Sequence, residues 1–323
     1  MAQIQQKYDR KAEDIGNIVG LEHVNLRVSN QEPATDFYLA GLGLTRDPYM
    51  MAGTNNMWVN VGRSQFHLPK GDPNVLRGHI GLVVPSLDDL CERLNMVKGR
   101  LEGSKFDCKR HNAFVEATCP WGNRFRLYEP CAEKFGPVNL GMPYVEFDVP
   151  EGAADGIARF YEEIFYAPTE IEENGDGRAA RVSAGLGQCL VFRETDKKIP
   201  QFDGHHLQIY IQEFSGPHDE LEKRGLITEE SSQYQYRFED IACLDTGKCL
   251  FKIEHEVRSI THPLYNRKLV NRNTKQNLMY YQMGADEWDW WLPREQGRMP
   301  AAQPAVEPTT PLARRRAARM AAM

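Results

Sequence analysis

An α+β fold of two tandem domains, each a pair of βαβββ units whose mixed sheet curls around a concave pocket, is what this sequence predicts. Three observations carry the prediction. A phrase recurs: Arg77-Gly78-His79-Ile80-Gly81-Leu82-Val83-Val84 precedes a helix-like Asp88 to Leu94. Likewise Gly204-His205-His206-Leu207-Gln208-Ile209-Tyr210-Ile211 precedes a helix-like His218 to Arg224, stopped at Gly225. The later copy alternates, with Leu207, Ile209 and Ile211 on one face and His206, Gln208 and Tyr210 on the other, the period of a half-buried strand. Finally, the order strand–helix–strand–strand–strand returns through the chain, and internal repetition outweighs any single motif.

Taken in order, residues 1–18 form a polar lead-in. Leu21 to Val28 alternates as a strand with His23, Asn25 and Arg27 on one face; Pro33 to Leu39 reads as a helix ended by Gly41-Leu42-Gly43. Strands at Met57–Val61 and Ser64–Leu68 complete the first unit. The second runs from His79 through a helix at Asp88–Val97 and strands at Phe106–His111, Phe114–Thr118 and Arg124–Glu129. The second half restarts at Met142–Val149, continues with a helix at Gly156–Phe165 and strands at Ala179–Ser183 and Gln188–Phe192. It then repeats from His206, with strands near Tyr234–Phe238, Ile241–Leu244 and Leu250–Val257. The domains are drawn at 19–131 and 139–257. Residues 258–298 carry Trp288, Trp290 and Trp291 and are expected to pack on the second domain as an aromatic-rich extension. Residues 299–323, rich in proline and ending in Arg314-Arg315-Arg316 and further basic residues, read as a disordered basic tail.

The totals narrow the function classes. With 323 residues the chain can bury two cores. A composition 41% hydrophobic and 26% charged is that of a globular protein, and a net charge of -6 offers no footprint for nucleic acid. No run of about 18 apolar residues exists to span a membrane, and Met1 to Asp14 lacks the apolar core of a secretory signal. Seven cysteines, an odd number without C-x-x-C, read as reduced thiols and speak against structural zinc. A cytoplasmic protein is expected.

The four units, a histidine opening the first strand, G-H-I-G-L-V-V and P-W-G-N-R-F-R-L-Y-E-P together resemble the vicinal oxygen chelate superfamily over residues 19–257. That group includes glyoxalase I, extradiol dioxygenases and the fosfomycin- and bleomycin-resistance proteins. The resemblance implies a divalent metal held by side chains from the first, fourth, fifth and eighth strands of a domain. In the first domain the matching positions are His23, His67, His79 and Arg126, counted from Gly122. Glu129 shares the apolar face of Phe125 and Leu127. A guanidinium cannot ligate a cation, so the first pocket is expected to bind anions or substrate through Arg126, Arg27, His23, His67 and His79. Histidines titrating near pH 6.5 would strengthen that binding as pH falls.

In the second domain Tyr144 stands where His23 stands in the first, and His206 matches His79. Glu254 follows His206 at nearly the separation between His79 and Arg126. His206 and Glu254 are therefore the expected metal ligands, with Glu146 or Glu256 an additional ligand or base, Tyr144 a proton donor, and Gln208 and Tyr210 lining the substrate pocket. The resulting expectation is a metal-dependent enzyme of the glyoxalase or dioxygenase type, a lyase, isomerase or extradiol-type dioxygenase. It would hold one divalent ion (Fe, Mn, Zn or Ni) in the second domain and act on a small oxygenated substrate. The alternative is a metal-free binding protein that uses the arginine/histidine pocket. Neither nucleic acid nor membrane is an expected partner; self-association as a homo-oligomer is left open.

Overall fold

Four strand–helix–strand–strand–strand units follow one another, and the computed structural model describes residues 8–48, 50, 55–175, 177–267 and 269. The first unit comprises β1 (Ile18–Asn25), α1 (Gln31–Ala34, continuing as π-helical turns over Thr35–Gly41), β2 (Thr45–Arg46), β3 (Asn56–Val61) and β4 (Ser64–Pro69). The second comprises β5 (Gly78–Val83), α2 (Leu87–Val97), β6 (Asp107–Arg110), β7 (Val115–Thr118) and β8 (Arg124–Tyr128). After a short α3 (Ala132–Phe135) the third follows: β9 (Gly141–Pro150), α4 (Ala154–Phe165), β10 (Thr169–Asn174), β11 (Gly177–Ser183) and β12 (Cys189–Thr195). The fourth has β13 (His206–Ile211), α5 (Ser215–Lys223), β14 (Ile227–Ser232), β15 (Gln235–Ala242) and β16 (Cys249–Ser259).

Among the described residues, sixteen strands make two mixed eight-stranded sheets, ordered β14-β15-β16-β13-β1-β4-β3-β2 and β10-β11-β12-β9-β5-β8-β7-β6. The α+β class and the fourfold repetition of the unit are as predicted, but the sheets join unit 1 to unit 4 and unit 2 to unit 3, not 1 to 2 and 3 to 4. At the centre of each, two opening strands run antiparallel, β1 beside β13 and β5 beside β9. Each opening strand also pairs in parallel with the last strand of its own unit. Helices make the complementary joins, the π-helical turns after α1 against α2, and α4 against α5. Phe37 and Tyr38 of the first unit meet Phe125 of the second at 5.5 and 5.9 Å, and Phe160 of the third meets Phe238 of the fourth at 6.0 Å. The four units thus close a cycle, alternately through sheet and through helix.

Apolar spacing explains the helices. In α2, Leu87, Leu90, Leu94 and Val97 are buried at intervals of three and four, each such side chain contributing roughly 1.5–3 kcal/mol. Its first turn is capped twice: Ser86 accepts from the Asp89 N–H, and Glu129 accepts from the Leu87 N–H at 3.2 Å. Glu129 therefore faces the helices, as its parity predicts. Three strands escaped sequence reading: β2 (TR), β10 (TEIEEN) and β14 (ITEESS) are sheet edges with little burial on either face. Without a buried face there is no alternation to read. Conversely, the two strands expected within 234–244 are one, β15, interrupted by register shifts around Asp240 and before Ala242.

After β16 the chain returns to the first unit: Arg267 pairs with buried Asp47 at 2.6 Å and donates to Gln65 Oε1 at 3.0 Å. Tyr265 lies against Tyr210, ring centres 4.9 Å apart. The expected extension 258–298 is described only over 258–267 and at 269; the predicted basic tail 299–323 lies outside the described residues. All seven cysteines are free thiols. Among the described residues no helix is long and apolar enough to cross a membrane.

Candidate metal centre

In the sheet that joins units 1 and 4, β1 carries an extra residue. Leu21 pairs with Ile209 and His23 with Gln208, so Glu22 and His23 together oppose one step of β13. This bulge keeps Leu21 and Val24 in the core while both Glu22 and His23 serve the polar face. Next to them stand His67 on β4 (beside Asn25) and His206 on β13 (opposite Asn25). On β16, Glu254 adjoins His206 and Glu256 adjoins Gln208. One ring nitrogen from each of His23, His67 and His206 lies within 4.8 Å of the other two. Ring centres are 5.8 Å apart for His23 and His67 and 5.7 Å for His23 and His206.

Their hydrogen bonds set the tautomers. His23 Nδ1 donates to Glu22 at 3.2 Å, leaving a buried Nε2 without a partner. His206 has Nδ1 3.6 Å from Glu254 and Nε2 3.6 Å from Glu256, with Nε2 again unpartnered. A carboxylate behind one imidazole nitrogen and a free lone pair on the other is how histidine is presented to a metal. His67 is more committed: its two nitrogens engage Asn25 at 2.7 Å and Asn56 at 2.8 Å, and its ring stacks on Trp58 at 3.9 Å. Burial holds all three imidazoles well below the usual histidine range, with Arg237 and Arg258 adding to the shift. They are neutral donors.

Two guanidinium groups brace the carboxylates. Arg237 pairs with both Glu254 and Glu256, while Arg258 reaches Glu256 at 2.6 Å and Glu22 at 3.1 Å. Three carboxylates and two guanidiniums thus surround three neutral imidazoles, and burial raises the Glu22 carboxyl against the pull of Arg258. Gln208, fully buried, has both amide atoms unpartnered on the same face. The donor set, nitrogen and carboxylate oxygen with buried free lone pairs, fits a borderline divalent ion.

The sheet that joins units 2 and 3 carries a different constellation in the equivalent rows. Where His23 opposes Gln208, Tyr144 opposes Gly81; where Asn25 opposes His206, Glu146 opposes His79. Beside Gly81 stands Arg126, as Glu256 stands beside Gln208, and beside Glu146 stands Val191, as His67 stands beside Asn25. Of the four positions His23, His67, His206 and Glu256, only the histidine at 79 persists here. The Tyr144 hydroxyl lies 3.1 Å from His79 Nε2 and 3.0 Å from the Tyr128 hydroxyl; Glu146 is held by Arg193 at 3.1 and 3.2 Å. Gly81 is required, since a Cβ there would enter the Tyr144 ring. Burial, helped by Arg126, holds His79 down at about 3.

Exchange of sheet partners therefore regroups the predicted residues. His23 and His67 share a face with His206, Gln208, Tyr210, Glu254 and Glu256, while Tyr144 and Glu146 share one with His79 and Arg126. The expected first-domain pocket of His23, His67, His79, Arg126 and Arg27 does not assemble, and Tyr144 and Glu146 do not reach His206. Arg27 lies beyond the end of β1, bound to Asn74 and to the Asp203 carbonyl at 2.8 Å. Because burial keeps His23, His67 and His79 neutral, the expected gain of anion affinity below pH 6.5 has no proton acceptor. His205 and His255 lie elsewhere, on Asp203 (2.6 Å) and Tyr161 (2.6 Å). Sequence reasoning missed Arg237, Arg258 and Glu22; the alternation Gln235-Tyr236-Arg237-Phe238 signals the first, whereas a bulge at Glu22 leaves no such trace.

A cleft of about 980 Å³ lies beside the histidines rather than over them, lined in part by Glu22, Gln65, Phe135, Val138, Tyr210 and Arg267. Among the described residues that line it there is no imidazole. A second grouping, His218, Asp219 and Glu222, is a solvated helix surface on α5.

Two eight-stranded mixed sheets of paired βαβββ units, with polar side chains of four strands gathered on one face, are an architecture found in solved structures. Two solved structures share it. Glyoxalase I from Zea mays is similar over 74% of this chain and 92% of its own, at 12% identity and a TM-score of 0.54. The "putative dioxygenase" of Bacillus subtilis subsp. subtilis str. 168 is similar over 79% and 87%, at 17% identity and a TM-score of 0.51. No protein-family model matches the chain, and no curated protein matches it in sequence.

Proposed function

We propose that this protein is a metal-dependent enzyme of the glyoxalase or dioxygenase type, acting on a small oxygenated substrate at the sheet that joins units 1 and 4. The observation that carries this reading is the pair of buried, unpartnered Nε2 atoms of His23 and His206. With His67, whose ring nitrogen lies within 4.8 Å of theirs, they make a three-histidine donor set, and Glu256, 3.6 Å from His206 Nε2, stands beside it as the carboxylate. Glu254, named from sequence as a ligand, acts here as the partner of His206 Nδ1 and of Arg237.

A divalent ion at this set supplies polarisation of vicinal oxygens and stabilisation of an enolate-like or catecholate-like anion. The chain's own residues do the rest. Glu22 fixes the His23 tautomer, Arg237 and Arg258 hold Glu256 in place, and Gln208 offers one donor and one acceptor to the substrate. Trp58 walls the site on the His67 side. Elemental analysis of the purified protein tests the assignment: one divalent ion per chain is expected, lost in His23→Ala and His206→Ala and retained in His79→Ala. Retention in both of the first two variants refutes the site.

A further inference from the structure

We propose that the sheet joining units 2 and 3 carries a second, metal-independent site that binds a small carboxylate with an apolar or aromatic body on the guanidinium of Arg126. The argument starts from the row equivalence. Arg126 occupies the place that Glu256 holds in the other sheet, and Tyr144 and Val191 occupy those of His23 and His67. One sheet presents neutral donors to a cation; the other presents a fixed cation. The substitution has the sign needed to hold an oxyanion directly.

Arg126 is available for this. Its neighbours are already matched: Arg193 with Glu146, Arg124 with Asp148 at 3.3 Å, and Arg181 with Glu172 at 3.3 Å. Among the described residues Arg126 makes no hydrogen bond or ion pair, not even with Glu116, which faces it across β7 and β8. Its one contact of that kind is the Phe114 ring, 5.5 Å from the guanidinium carbon. The guanidinium is half-buried, so its charge is only partly solvated and remains open to a ligand.

Around it the surface is aromatic. Val83, Tyr128 and Phe135 form a small cluster of their own, with Phe114, Val138 and Tyr144 packed against it. Tyr128 and Arg126 share one face of β8, and the Tyr128 hydroxyl ends the chain that runs through Tyr144 to His79. When His79 carries its proton on Nε2, that chain runs outward and frees the Tyr128 hydroxyl proton for a ligand oxygen. A flat apolar carboxylate would meet a guanidinium fork, one hydroxyl donor and ring faces.

Calorimetric titration of the full chain with benzoate, after treatment with EDTA, tests this. Binding of one benzoate per chain is expected, at least tenfold weaker in Arg126→Met, weaker in Tyr128→Phe, and partly restored in Arg126→Lys. Binding unchanged in His206→Ala is also expected, because that residue lies in the other sheet. Affinity that survives Arg126→Met, with an unaltered melting temperature, overturns the proposal, as does the absence of binding to the wild type. Loss in His206→Ala with retention in Arg126→Met would move the ligand to the histidine cluster. The metal assignment stands or falls separately by metal content.

Discussion

The imidazoles of His23 and His206 face each other across neighbouring strands, ring centres 5.7 Å apart, although one belongs to the first unit and the other to the last. A metal centre built on them needs both halves of the chain. Separately produced halves, residues 1–137 and 138–323, should each retain no divalent metal, and each should expose a central strand (β1 and β5, or β9 and β13) as an open edge prone to association. Mixing or co-expressing them should restore metal binding. A single half that binds one ion per chain with the affinity of the whole would refute the arrangement.

Acid should destabilise the protein through buried neutral histidines. His255 donates from Nδ1 to the Ile253 carbonyl at 2.8 Å, accepts from the Tyr161 hydroxyl at 2.6 Å and stacks on Phe238 at 4.2 Å. Burial holds it at about 3, against about 6.5 for an unfolded imidazole. Between those values the unfolded chain takes up a proton that the folded one refuses. The stabilising difference is whole above pH 6.5 and drains as pH falls toward 3, by about 1.4 kcal/mol per pH unit. Urea midpoints between pH 4 and 7 should fall more steeply for wild type than for Tyr161→Phe/His255→Phe, which removes both partners of the bond. Parallel profiles would show that His255 does not titrate on unfolding.

Arg267 anchors the segment after β16. Its partner Asp47 is fully buried and bonded to Gln65 at 2.5 Å. Replacing Arg267 by Met would strand that carboxylate at a cost of about 3–5 kcal/mol, and a chain ending at residue 257 should lose as much or more. Denaturant midpoints of Arg267→Met and Arg267→Met/Asp47→Asn give the check: the double variant should recover part of the loss. Equal stability of wild type and the 257-residue chain would refute the anchor.

Much of the fold is legible in the sequence because one face of each central strand is buried. Alternation marks β1, β5, β9 and β13, and the repeated histidine phrase marks the unit. What periodicity cannot carry is which unit's opening strand lies beside which. Both pairings bury the same faces, so chain order alone groups His23 with His79, whereas the sheet groups it with His206. Glu254 and Glu256 share a face, and counting residues could not choose between them. The bond register does, since Glu256 lies beside Gln208 as Arg126 lies beside Gly81. Edge strands β10 and β14 were invisible for the opposite reason, having no buried face to betray them.

The closed cycle of four units makes chain order incidental to the architecture. Ile18 and Ser259, the outer ends of β1 and β16, both pair with Ile211, so they are separated by one strand, about 10 Å. Joining the β16 end to the β1 end and opening the chain between units 2 and 3 would leave every unit with both its sheet partner and its helix partner. In such a circular permutant His206 would be met before His23, with His79 last, and a reader of that sequence would draw the domains at different boundaries around the same histidine cluster.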